Sequence, residues 1–312
     1  MPPETHNVAV FAPSLLITVT VESGGDDYDE IHFHMGGQGY WVARGIRELG
    51  ERPILTAPVG GEPGQVIRGL VASTGLDFSP VQIAGPSPGY VHDRRHGERR
   101  VLATSRSPDL DRHETDDLYA RTLQHSVTAG VCVITGRRDE DRLSVDLYRR
   151  LGTDCAAAGV TSVGDFHGDE LTAFLEGGPL GLLKVSDEDL ARDGLLGEGA
   201  PDAEVWEAID HLCDSGARTV VVSRGRDGAL GRFGVRRVKA VPPAFEVVDP
   251  AGSGDSMTAA LAVATVRGLD PEDTLRLACA AGAANVTRHG LGSAPVDLVA
   301  RVVPLIEIQG EE

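Results

Sequence analysis

Val247-Val248-Asp249-Pro250-Ala251-Gly252-Ser253-Gly254-Asp255-Ser256-Met257 is the stretch on which the fold turns. Two β-branched residues suited to a strand lead into a loop of small residues, and an Ala-rich segment of helical character follows. Glycines let a backbone approach a ligand closely, and the first amides of a helix have no partner within it, so this junction can receive an anion. Asp255 is the unexpected residue, because a carboxylate repels the phosphate that the amides attract. One account makes it a general base, taking a proton from a hydroxyl while the neighbouring amides stabilise charge on a transferring phosphoryl group. An N-capping Asp after a Gly-rich turn explains the loop equally well at this point.

The 312 residues, 41% hydrophobic, suffice for one large α/β unit or a main domain with a small appendage. Lys and Arg total 29 against 47 Asp and Glu, a net charge of −18. No basic run offsets this, so nucleic acid and anionic membrane surfaces are not expected partners. A nucleotide remains compatible with it, since local amides, a few basic side chains and Mg²⁺ override the global field. Cys132, Cys155, Cys213 and Cys279 are widely spaced and form no CxxC or Cys/His cluster. They read as reduced core thiols of a cytoplasmic protein. The N-terminus shows no export signal, and no window is apolar enough for a membrane span.

Outward from the loop, residues 7–11 read as a buried first strand. Residues 16–34 alternate apolar and polar around an acidic turn at 24–30, the pattern of a flap exposed on one face. Gly36-Gly37-Gln38-Gly39 precedes a helical pattern over 40–50 that ends in Gly50. Gly60, Gly61 and Gly64 open a second helix, and short strands within 79–104 complete the flap. From about 115 onward, helical patterns alternate with apolar runs at 130–135, 160–165, 181–184 and 218–223, which predicts a mostly parallel sheet with helices on both faces. Ligands in such sheets lie at the carboxyl ends of the strands, where Lys184, Ser223 and Asp249 fall.

Four features stand in one order: Gly36-Gly37-Gln38-Gly39 before a helix, Lys184-Val185-Ser186-Asp187-Glu188-Asp189 after a strand, Ser223-Arg224-Gly225-Arg226-Asp227-Gly228 after a strand, and the loop 249–255. Together they resemble the PfkB/ribokinase family of sugar kinases over nearly the whole chain, most closely the branch of 1-phosphofructokinase and tagatose-6-phosphate kinase. The resemblance implies a three-layer α/β/α sandwich in a single domain of 312 residues, with a small β lid from insertions at approximately 14–35 and 80–104. It also implies ATP and Mg²⁺ as cofactors, a sugar-type acceptor and a homodimer joined through the lid.

Carried onto this chain, the family's Asp-Thr-x-Gly-Ala-Gly-Asp signature places the catalytic base on Asp255 and the anion hole on Gly252, Ser253 and Gly254. Pro250 replaces the usual Thr, which leaves the backbone amides intact. The Ser-x-Gly-x-x-Gly nucleotide loop falls on Ser223, Gly225 and Gly228, and Asn285 falls on the helix that lines the adenine pocket. The family's Lys-Pro-Asn-x-x-Glu, which orders Mg²⁺ through water, becomes Lys184, Ser186 and Asp189, with Glu188 as an alternative carboxylate.

The acceptor side departs further. Where the branch has Asn-Pro-x-x-Asp this chain ends in Leu16, which binds no hydroxyl. Gly-Gly-Lys-Gly-x-Asn becomes Gly36, Gly37, Gln38, Gly39, Tyr40 and Trp41, losing a charge and gaining aromatics, so Trp41 is either a stacking face or core. The phosphate ligands expected near 87–92 are absent, and Arg94, Arg95, Arg99 and Arg100 lie just beyond them, as substitutes or as solvated flap residues. His34 and His167 are read as pocket residues or as structural ones. The expectation is transfer of phosphate from ATP to a sugar or sugar phosphate. The alternatives are a nucleoside or other non-phosphorylated polyol, or a ligand-binding paralogue with weak catalysis. A dinucleotide oxidoreductase is disfavoured because no GxGxxG follows the first strand.

Overall fold

The computed structural model describes residues 6–25, 27–97, 100–138, 143–248, 250–287 and 295–311. In chain order, β1 (Val8–Phe11) leads to the hairpin β2 (Leu16–Ser23) and β3 (Asp29–Gly36), then α1 (Gln38–Glu48), β4 (Pro53–Val59), α2 (Gly61–Thr74) and β5 (Asp77–Gln82). The second hairpin, β6 (Gly89–Asp93) and β7 (Arg100–Thr104), precedes α3 (Arg112–Ala129), β8 (Val131–Thr135), α4 (Asp146–Ala157), β9 (Thr161–Asp165) and α5 (Gly168–Gly177). Next come β10 (Leu182–Ser186), α6 (Asp187–Arg192), α7 (Asp202–Asp214), β11 (Thr219–Ser223), β12 (Ala229–Phe233) and β13 (Arg236–Val241). The chain closes with α8 (Ser253–Arg267), α9 (Pro271–Val286), α10 (Val296–Val302) and β14 (Glu307–Glu311).

A ten-stranded sheet runs β14-β13-β12-β11-β10-β9-β8-β1-β4-β5. It is parallel from β5 to β11 and antiparallel from there to β14. Successive residues of a strand face opposite ways, and the core divides accordingly. Val8, Val10, Leu55, Val133 and Val221 pack beneath α1, α2 and α8–α10. Ala9, Phe11, Cys132, Ile134 and Val220 pack beneath α3–α7. This is the three-layer sandwich implied by the resemblance, and it sends the carboxyl ends of β8–β11 to one rim.

Above that rim lies the lid, a four-stranded sheet in the order β3-β2-β6-β7. Its pairing sets Val19 opposite Phe33 and Val91, and Val21 opposite Ile31, on one face. Thr18, His34 and Tyr90 share the other. The lid is narrower than the insertions expected at 14–35 and 80–104, because residues 77–82 form β5, which pairs with β4 at the edge of the main sheet.

One further expectation is corrected. Val247 and Val248 are not in a strand: β13 stops at Val241, and Pro242 and Pro243, which carry no backbone N–H, end the ladder. Both valines are exposed, at 53% and 41%. The antiparallel extension β12–β14 was not read from the sequence at all. Among the described residues no helix is long and apolar enough to cross a membrane. The four cysteines are free; Cys132, Cys155 and Cys279 are buried.

Candidate active site

Strand alternation aims the central charge. Leu183 and Val185 enter the core beneath α3–α7, so Lys184 between them points toward α8. β9 delivers Asp165 beside it, and Lys184 Nζ lies 3.3 Å from Asp165 Oδ1 with both side chains 7% exposed. The Thr258 hydroxyl of α8 donates to Asp165 Oδ2 at 2.5 Å, which clamps the carboxylate from the opposite side. Burial works against the Lys184 charge, but Asp165, Asp255 and Asp189 outweigh it and raise its pKa. The ammonium abuts the first turn of α8: a Cβ at Gly254 would lie 2.9 Å from Lys184 Nζ.

Asp255 occupies that same first turn and is half-buried. Burial and then the charge of Asp165 push its carboxyl up to about 7, against the opposing pull of Lys184. The helix starts abruptly because Gly252 takes a left-handed conformation, φ 80°, as its N-cap. The Ser256 N–H bonds the Gly252 carbonyl at 3.0 Å and starts the helical ladder, whereas the Ser253 N–H turns back to the Pro250 carbonyl at 3.3 Å. The amides of Gly254 and Asp255 precede the ladder, so by helix geometry they have no carbonyl of their own helix to bond. Gly252, Ser253 and Gly254 thus form a turn at a helix N-terminus beside a buried ammonium and a protonatable carboxylate. Asp249 lies outside the described residues.

The nucleotide-loop residues cluster one strand further along. Ser223 ends β11 and its hydroxyl reaches the Val185 carbonyl at 3.4 Å. A tight turn over Gly225–Asp227 follows. Gly228 has φ 86°, and a Cβ there would lie 1.9 Å from the Ala240 carbonyl oxygen, so only glycine fits. Arg224, 9% exposed at the side chain, ties this loop to Asp202 and, at 3.6 Å, to Asp187 at the head of α6. Ser186 and Asp189 form a capping box at that helix: the Asp189 N–H bonds Ser186 Oγ at 3.0 Å, and Ser186 N–H and Oγ donate to Asp189 Oδ2 at 3.2 and 2.7 Å. Burial acts to raise the Asp189 pKa, but the Ser186 bonds prevail and lower it. Asn285 is buried on α9 and donates to the Ala251 carbonyl at 2.8 Å.

Toward β8 and β1 the rim opens into a cleft of about 550 Å³, lined among others by Gln38, Arg137, Arg138, Asp165, His167 and Asp189. Gln38 opens α1, and its Oε1 accepts the Gly136 N–H at 3.1 Å. Gly36 lies beneath the Leu16 side chain and Gly39 against Ala12, in contacts that leave no space for a Cβ. Trp41 is 9% exposed and packs edge-on to Tyr40 in the core, so the stacking role considered for it gains no support. His167 Nδ1 pairs with Asp193 at 2.9 Å beside the cleft. His34 is exposed on the lid, stacked on His32.

The lid arginines are engaged within the lid, Arg95 with Asp93 and Asp29 and Arg94 with Glu22. Arg100 is exposed on β7, and Arg99 lies outside the described residues. Arg137 and Arg138, at the end of β8, were missed by sequence reading, as were the roles of Asp165 and Thr258. Arg137 pairs with Glu170 at 2.7 Å; Arg138 donates to the Tyr90 hydroxyl of the lid at 2.8 Å and to Ser107 Oγ at 3.2 Å. Their position just past a strand's carboxyl end is the signal that marks them.

Comparison with known proteins shows what the chain is similar to. The family model described as pfkB family carbohydrate kinase matches residues 17–297. The chain is 26% identical over 261 residues to the ATP-dependent 6-phosphofructokinase isozyme 2 of Escherichia coli, covering 83% of each. It is 24% identical over 276 residues to the tagatose-6-phosphate kinase of Staphylococcus epidermidis, covering 88% of each. The crystal structure of phosphofructokinase-2 from Escherichia coli in complex with potassium superposes with a TM-score of 0.84 at 24% identity, covering 96% of this chain and 99% of that one.

Proposed function

Since the chain belongs to the pfkB family of carbohydrate kinases, we propose that it transfers the γ-phosphoryl group of ATP to a hydroxyl of a sugar phosphate, with Asp255 as general base. That it is a sugar kinase, a phosphotransferase with an alcohol acceptor, follows from the family. The observation that supports the assignment of roles is the adjacency of Asp255, Lys184 and the N-terminal turn of α8.

With a pKa of about 7, Asp255 is substantially ionised at neutral pH yet remains a useful proton acceptor. It takes the acceptor's hydroxyl proton as the oxygen attacks phosphorus. The turn Gly252–Ser253–Gly254, whose Gly254 amide has no carbonyl of its own helix to bond, stabilises with Lys184 the charge that develops on the transferring group. Ser223, Gly225 and Gly228 hold the nucleotide phosphates at β11, and the acceptor lies toward β8 under the lid.

Mg²⁺ fits the residues present. Asp189 is a hard-oxygen carboxylate on the cleft wall with Oδ2 bonded to Ser186 and Oδ1 3.3 Å from Arg192, the kind of single carboxylate that would meet a hydrated ion arriving on ATP phosphates through water. Asp189 and the nucleotide would hold the ion through water, and it would neutralise β- and γ-phosphate charge.

Arg137 and Arg138 on the cleft wall favour a phosphorylated acceptor over a nucleoside or neutral polyol, whose case rested on Trp41 as a stacking face. The lid supports a homodimer: its Val19–Val21–Ile31–Phe33 face is apolar and outward, with Ile31 60% and Phe33 53% exposed. The reduced thiols fit a cytoplasmic location. The test is an acceptor panel of sugars, sugar phosphates and nucleosides assayed for ADP release. Turnover confined to sugar phosphates is expected, and turnover confined to nucleosides or neutral polyols would overturn the reading.

A further inference from the structure

The C-terminal end of α9 touches the loop ahead of α8 at two points and the start of that helix at a third. Asn285 Nδ2 donates to the Ala251 carbonyl at 2.8 Å. One residue on, the Val286 carbonyl accepts the Val248 N–H at 2.8 Å. One turn earlier, Gly282 packs against the first residue of α8, where a Cβ would sit in ordinary contact, 3.4 Å, with the Ser253 carbonyl oxygen. The loop itself belongs to no sheet ladder after Val241 and depends on such outside bonds for its shape. Asn285 is the polar member of this contact and is 1% exposed. A primary amide that deep is tolerated when it is hydrogen-bonded, and here the bond goes to the backbone one residue ahead of Gly252.

We infer that Asn285 is a positioning residue for phosphoryl transfer: through Ala251 it fixes the amides of Gly252–Gly254 in the place where transition-state charge develops, and it does not contact the base. The inference rests on the kinase reading of this loop. Donors help only when held where charge will appear, so releasing the loop costs rate and leaves nucleotide binding in place.

The test is steady-state kinetics on the full chain with the best acceptor of the wild type, comparing Asn285→Ala and Asn285→Leu, the latter of similar branched shape but without a donor. Both are expected to lower kcat roughly 10- to 100-fold, with KM for ATP and the ATP-over-GTP preference within about twofold of wild type. A raised KM for ATP at unchanged kcat, a shifted base preference, or full activity in Asn285→Leu would overturn the inference. If these two variants fail to fold, Asn285→Asp, which keeps the shape and removes the amide donor, takes their place. The same loss of kcat is expected there, and unchanged kcat contradicts it. Asp255→Asn assayed in parallel separates the two levels. If that variant is active, the catalytic reading of the loop falls and the inference with it. If it is inactive while the Asn285 variants are fully active, the inference alone falls.

Discussion

Lys184 Nζ and Asp165 Oδ1 stand 3.3 Å apart on adjacent parallel strands, both buried, and the charges of Asp255 and Asp189 act on the same ammonium. Removing one partner strands the other charge in the interior. Lys184→Met is therefore expected to destabilise the protein by about 3–5 kcal/mol, read as a lowered urea midpoint. The double variant Lys184→Met with Asp165→Leu should regain most of that loss. If the double variant is no more stable than the single one, the buried pairing is not the cause.

Asp255 carries a pH signature. Its pKa is raised from the usual carboxylate range to about 7, so the folded state binds a proton that the unfolded chain releases near pH 4. Folding is therefore favoured by this group at low pH, and that contribution is lost as pH rises from about 4 to 7. Activity runs the opposite way, since the base must be ionised: kcat/KM should climb through an apparent pKa near 7. Asp165→Asn removes a charge that raises this value and should move the limb to lower pH. A limb that stays in place in that variant would show that Asp165 does not tune the base.

The lid predicts assembly. Phe33→Asp places a charge on the outward apolar face without touching the cleft, and Ile31 flanks it on the same strand. Sedimentation at micromolar concentration should show a dimer for the wild type and a monomer for the variant. A wild-type monomer at that concentration would remove the proposed interface.

Much of this fold was legible because it is local. The runs before Lys184 and Ser223 are short, apolar and followed by small or polar residues, and β10 and β11 lie where those runs do. Gly252 and Gly228 advertise themselves because their backbone conformations exclude other residues. What escaped was non-local. Thr258 meets Asp165 across 93 residues of chain, and nothing in either neighbourhood announces the bond. β14 pairs with β13 from the far end of the sequence. Val247 and Val248 have strand chemistry, but the prolines upstream decide against it. Trp41 was ambiguous because an aromatic at helical spacing suits a core as well as a ligand, and it lies in the core. Arg137 and Arg138 follow a strand that was read, yet only the folded lid shows that Tyr90 meets Arg138.

The central claim is that Asp255 removes the acceptor's proton, and Asp255→Asn tests it most directly. The change keeps the shape and removes the base, so turnover with the best wild-type acceptor should fall by roughly 10²- to 10⁴-fold. Affinity for a non-hydrolysable ATP analogue, measured by calorimetry, should stay within a few-fold of wild type, because the nucleotide loop at Ser223–Gly228 is untouched. Turnover near the wild-type rate in a folded, ATP-binding Asp255→Asn protein would contradict the account.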